Sequence, residues 1–237
     1  MSTGRSSNRS DGPTADSVLA VVEYDSRFKR LNAAPDVVLI NNFKCGYSSS
    51  NRLPYRIVNE IRDHDTVVFF YRDVILRAVS AFIHWCITDE RHATERDWLL
   101  HNLRRHLDDE SYGELLQLFA RGRHTDAFRV YADSLPSIAG WNNHTLPQVE
   151  ILEYFGVERL DHFVELERPG YFARLTGTAF PWEDSNRSDA GIKRSIIRLL
   201  VEDDKLRADI EHVYAEDLEF FAANGLSTID WRRYAAD

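Results

Sequence analysis

A lysine, a glycine and a run of hydroxyl side chains stand directly after an apolar run. The segment Asn42-Phe43-Lys44-Cys45-Gly46-Tyr47-Ser48-Ser49-Ser50-Asn51-Arg52 follows Val37-Val38-Leu39-Ile40. A β-branched run that breaks into Lys-x-Gly-x-Ser-Ser predicts a strand, a tight turn and a serine-rich helix start. Such a turn aims backbone N–H groups and the positive end of a helix dipole at one point. Gly46 allows close backbone approach, Ser48 and Ser49 add hydroxyl donors, and Lys44 adds a mobile positive charge. The ligand that suits this arrangement is a phosphate or sulfate group. A nucleotide triphosphatase loop places its glycines before the lysine. Here no glycine lies between Asn32 and Lys44, so the order is reversed and that class is disfavoured.

A second segment has the same logic. Thr66-Val67-Val68-Phe69-Phe70-Tyr71 predicts another buried strand, ended by Arg72-Asp73. Asp73 can cap a helix over about 74–87. On that helix Ile75, Val79, Phe82 and Cys86 form a core stripe, while Arg77, Ser80 and His84 share a different face. An arginine at a strand's C-terminal edge and a serine two turns along the next helix can converge on one anion.

These segments resemble those of the sulfotransferases that use 3′-phosphoadenosine 5′-phosphosulfate (PAPS). Phe43 to Ser50 is similar to the family's P-K-x-G-x-T-S-L loop, which cradles the 5′-phosphosulfate. Phe70 to Phe82 is similar to F-V-R-D-P-F-x-R-L-V-S-A-F, whose first arginine and serine hold the 3′-phosphate. The resemblance implies that Lys44, Cys45, Gly46, Tyr47, Ser48 and Ser49 take the first role, and Arg72 and Ser80 the second. Further along, His144-Thr145-Leu146-Pro147-Gln148 resembles the H-W-x-P-Q patch of carbohydrate sulfotransferases. Phe163 to Glu167 resembles the strand ending in glutamate, and Tyr214 to Phe221 the Y-x-x-D-x-x-x-F ending. The departures are Phe43 and Val74 for proline, Ser48 for threonine and Thr145 for tryptophan.

The elements that must hold these residues follow from composition and periodicity. The chain has 237 residues, 43% of them apolar and 12% aromatic, enough for one sizeable core. The resemblance implies a single α/β domain over 17–237 with a P-loop-like sulfotransferase fold, its central, mostly parallel sheet flanked by helices. Residues 1–16 are polar and predict a disordered tail. Helical spacing recurs at 94–107, 111–121, 145–155, 189–200 and 203–223, with a third core strand at 163–166. Residues 135–143 read as a loop, and Gly156 and Asn224-Gly225 as helix stops.

A net charge of −9 and a pI near 5.5 argue against a nucleic-acid partner. Arg104-Arg105 and Arg121-Gly122-Arg123 read as helix-surface or turn charges, with recruitment of an acidic acceptor such as a uronate sugar as the other reading. No apolar leader or membrane span is visible, and Cys45 and Cys86, the two cysteines, suit a reducing compartment, so the expectation is a soluble cytoplasmic protein. The nine histidines are dispersed, and no metal site is expected.

The expected activity is transfer of a sulfuryl group from PAPS to a hydroxyl of a carbohydrate or glycosylated small molecule, leaving the bisphosphate PAP, without a metal. Lys44 would offset charge on the departing phosphate oxygen. A general base, worth about 10²–10⁴-fold in rate, is assigned first to His144, whose neutral imidazole suits the task. His84 is the second candidate and Glu167 the third; His64 precedes its strand and should lie at the far edge. A nucleotide-dependent kinase and a non-catalytic nucleotide-binding module are the rival readings.

Overall fold

The computed structural model describes residues 28–40, 51–86, 100–101, 103–141, 144–181 and 190–236. Five strands form one sheet: β1 (Phe28–Leu31), β2 (Val37–Ile40), β3 (Tyr55–Val58), β4 (Thr66–Tyr71) and β5 (His162–Glu165), in the order β3-β1-β2-β4-β5. The β2–β4 and β4–β5 ladders are parallel, with Ile40 opposite Phe69 and Tyr71 opposite Glu165. The β1–β2 and β1–β3 ladders are antiparallel. The sheet is therefore mixed, not mostly parallel as expected. The physical reason is β1: it is joined to β2 by a turn closed by the Val37 N–H on the Ala34 carbonyl at 2.8 Å, and so short a connection permits only an antiparallel pair.

Among the described residues there are eight α-helices: α1 (Val74–Cys86), α2 (Asp109–Ala120), α3 (His124–Ile138), α4 (Gln148–Tyr154), α5 (Gly170–Thr176), α6 (Ala190–Glu202), α7 (Asp204–Val213) and α8 (Ala215–Ala223). Two 3₁₀ turns, Ala139–Trp141 and Trp231–Ala235, complete the set. Alternation along the strands sends side chains to both faces. Val38, Ile40, Val67, Phe69 and Tyr71 join α1, α3, α6 and α7 in the larger core. Val37, Leu39, Val68 and Phe70 pack beneath α5 through Phe172, with Phe180 alongside. The domain is thus a three-layer α/β structure.

Several expected elements hold. The strands at 37–40 and 66–71 and the helix from 74 form as read, with Ile75, Val79 and Phe82 fully buried. Asp73 caps α1: its Oδ1 accepts from the N–H groups of Ile75 at 3.0 Å and Leu76 at 3.1 Å. Gly156 and Gly225 take the left-handed conformation expected of helix stops, with φ of 60° and 63°. The loop expected over 135–143 is instead helical as far as Ile138. Pro136 sits two residues from the helix end, and full burial of Leu135 and Ile138 outweighs its poor propensity. The helix expected over 203–223 is interrupted at Tyr214, whose φ and ψ of −107° and 29° are not helical; this lets its ring drop into the core. Of the helix expected over 94–107, residues 94–99 and 102 lie outside the described residues, as does the expected tail over 1–16.

Candidate anion-binding site

Parallel strands end together, and loops leaving their carboxyl ends share one crevice. In register, β2, β4 and β5 all end at the same edge. Lys44, Cys45, Gly46, Tyr47, Ser48 and Ser49 lie outside the described residues. The chain reaches them from Ile40, at the end of β2 and one strand spacing from β4.

Arg72 begins the connection from β4 to α1 and is held from three sides. Its Nε donates to Glu167 Oε1 at 2.6 Å, and both side chains are largely buried, at 11% and 3% exposure. Its backbone is gripped by Gln148: the Arg72 N–H donates to Gln148 Oε1 at 3.0 Å, and Gln148 Nε2 donates to the Arg72 carbonyl at 2.9 Å. Gln148 is held in turn by Asp217 of α8, whose Oδ2 accepts from Nε2 at 3.3 Å. Asp217 Oδ1 also accepts the Val149 N–H at 2.9 Å. Pro147 occupies the N-cap position of α4 and offers no side-chain acceptor, so a carboxylate from a separate helix caps α4.

Burial pushes the Asp217 carboxyl above its ordinary range, and the nearby Arg77 guanidinium opposes that shift. Arg77 is fully buried, 5.9 Å from the centre of the Tyr214 ring, whose hydroxyl burial pushes up to about 12. The solvated helix face that spacing alone suggests for Arg77 is therefore an interior one; Ser80 and His84 on the same face are half-buried. Asp73 is also pushed up by burial, against the hydrogen bonds from Thr228 Oγ1 at 2.8 Å and the two capping N–H groups. Glu165, raised by burial as well, accepts the Ile229 N–H.

The candidate bases fall into two groups. His84 and His144 stack on each other, ring centroids 5.0 Å apart and planes within 18°. The first and second candidates thus form one unit. Glu167 is committed to Arg72 through Oε1, while its Oε2 is buried with no hydrogen-bond partner among the described residues. His64 immediately precedes Asp65 and β4, at the opposite end of the strands from Arg72, as expected. Arg123 pairs with Asp126 on the surface beside the Gly122 turn, the ordinary role expected of that cluster.

Two residues beside Arg72 carried no signal in the sequence. Lys193 of α6 and Arg233 of the 3₁₀ turn both place positive charge within electrostatic reach of the Arg72–Glu167 pair. Each looks like an ordinary helix-surface charge, and only folding brings them together. Among the described residues no helix is long and apolar enough to cross a membrane. No known family model, curated protein or solved structure matches this chain.

Proposed function

We propose that the protein is a PAPS-dependent sulfotransferase that passes a sulfuryl group to a hydroxyl of a carbohydrate or glycosylated small molecule, in a soluble cytoplasmic setting. The observation that carries this reading is convergence at one sheet edge. Arg72, the Gln148 of the His144–Gln148 patch, the Glu167 that follows β5 and the Asp217 of the terminal motif are far apart in sequence and hydrogen-bonded in one network. The cations Arg72, Lys193 and Arg233 gathered at this edge suit a bisphosphorylated nucleotide.

PAPS would supply the transferable sulfuryl group. Arg72 and Ser80 would hold its 3′-phosphate, and Lys44 with Cys45 to Ser49 its 5′-phosphosulfate. The chain's task is alignment more than covalent chemistry. Lys44 would offset charge on the departing oxygen, and the His84–His144 pair would take the acceptor proton.

The second reading, a nucleotide-binding module without a base, is favoured by one observation. His84 lies one turn beyond Ser80, about 15 Å along α1 from Val74, so the pair borders the proposed 3′-phosphate end. Calorimetry with PAP tests both readings together: micromolar binding is expected, and no binding would overturn them. Turnover with labelled PAPS and a panel of sugar acceptors separates them. Lys44→Ala should abolish turnover while weakening PAP binding less; near-normal turnover would remove its assigned role. Magnesium-dependent binding of ATP in place of PAP would favour a kinase.

A further inference from the structure

Two cations from distant parts of the chain meet on one aromatic ring. Lys193 is half-buried on the first turn of α6, its Nζ 3.7 Å from the centre of the Tyr234 ring. Arg233 lies 4.9 Å from the same centre, and its Nη2 donates to the Tyr234 hydroxyl at 3.0 Å. Arg198 of α6 fixes the turn that carries them by donating through Nε to the Ala235 carbonyl at 2.9 Å. Arg72 and Glu167, at the ends of β4 and β5, lie within electrostatic reach of Lys193.

We propose that Arg72, Lys193 and Arg233 form one phosphomonoester subsite, walled by Tyr234, in which ligand binding is coupled to proton uptake at the Lys193 amine. The assignment rests on the reading above only in taking Arg72 as a phosphate ligand. Glu167 bonds Arg72 and also acts on Lys193 and Arg233, Glu165 acts on Arg233, and Lys193 and Arg233 share the ring. Burial first, and then the Arg72 charge, push the Lys193 ammonium down to about 8; Glu167 opposes this and Arg233 adds to it. A phosphate monoester is close to a dianion above pH 7. Brought among these groups, it restores the ammonium's preference for its proton. At pH 7 Lys193 is already mostly charged and the site is ready; at pH 9 a proton must be taken from solvent for each phosphate bound.

The expected signature is affinity for PAP about tenfold weaker at pH 9 than at pH 7. Adenosine 5′-monophosphate, which lacks the 3′ group, should show a flatter profile. Lys193→Arg should keep binding and lose the pH dependence; Lys193→Met and Arg233→Gln should each weaken PAP binding at pH 7. Proton uptake is read directly by calorimetry at pH 8.5 in buffers of different ionisation enthalpy. A pH-independent affinity in the native chain, or an unchanged profile in Lys193→Arg, would overturn the proposal. A separate measurement stands apart from nucleotide recognition: NMR titration of ¹³C-methylated lysine with inorganic phosphate. Phosphate should raise the Lys193 midpoint by about one pH unit. If PAP fails to bind but phosphate moves Lys193, the sulfotransferase reading falls and the subsite stands. If phosphate leaves Lys193 unmoved, the subsite falls whatever PAP does.

Discussion

The two ends of the parallel strands use the same residue types to opposite purpose. At the amino-terminal end of β2 and β4, Arg30 and Asp65 form a bidentate pair with side chains 1% and 0% exposed. Asp65 Oδ2 also accepts the Arg62 N–H at 2.6 Å, and Arg30 Nη1 donates to the Pro35 carbonyl at 3.0 Å. The Arg30 hydrogen bond holds the Asp65 carboxyl below its ordinary range, and Asp65 raises Arg30 in return. At the carboxyl end, Arg72 Nε donates to Glu167 Oε1, and Lys193 and Arg233 lie within electrostatic reach of this pair. At one end two opposite charges pair off in the interior; at the other, cations gather around an ion pair.

The contrast can be broken by mutation. The largest expected effect is at the matched end: Asp65→Ala leaves Arg30 buried without its partner and should cost about 3–5 kcal/mol in urea unfolding. A loss under about 1 kcal/mol would erase the distinction between the two ends. Gln148→Ala removes both hydrogen bonds to the Arg72 backbone and should cost about 1–3 kcal/mol. Its PAP affinity should fall as well, because the Arg72 side chain loses its fixed origin. Stability lost without any change in affinity would make the clamp purely structural.

The smallest effect sharpens the carboxyl end. The folded chain gives up the Lys193 proton above about pH 8, whereas the unfolded chain keeps it up to 10.5. The unfolded state therefore binds more protons between these values, and this residue's destabilising share is full below 8 and fades towards 10.5. Lys193→Met should gain under about 1 kcal/mol at pH 7, with the gain gone near pH 10.5. A gain that grew with pH would reverse the assigned sign.

How much of this could be read beforehand depends on what signal each element leaves. β2, β4 and α1 are legible because buried parallel strands are nearly continuous apolar runs and α1 carries its cap at Asp73. β1 is not: Phe28-Lys29-Arg30-Leu31 has two charges in four residues, yet all four are buried. Lys29 is accommodated by Asn51 and lies 4.9 Å from the Tyr55 ring centre, and Arg30 by Asp65, partners 22 to 35 residues away. β3 is a short edge strand with Ile57 exposed, so it shows no inward-facing pattern. In the candidate site, Arg72 is legible from its place after a strand. Lys193 and Arg233 are not, because clustering of like charge is a tertiary property with no periodicity of its own. The histidine candidates were visible singly, but their pairing was not.

The partners of the carboxyl edge have a further consequence for biosynthesis. Asp73 is satisfied by Thr228, Tyr71 by the Ser227 carbonyl, Glu165 by the Ile229 N–H and Gln148 by Asp217. A nascent chain emerged only through β5 already holds the strands, but none of these later contributors has left the ribosome. Until it does, the carboxyl edge is a set of dangling donors and acceptors, and the protein gains its proposed ligand affinity in one late step of translation.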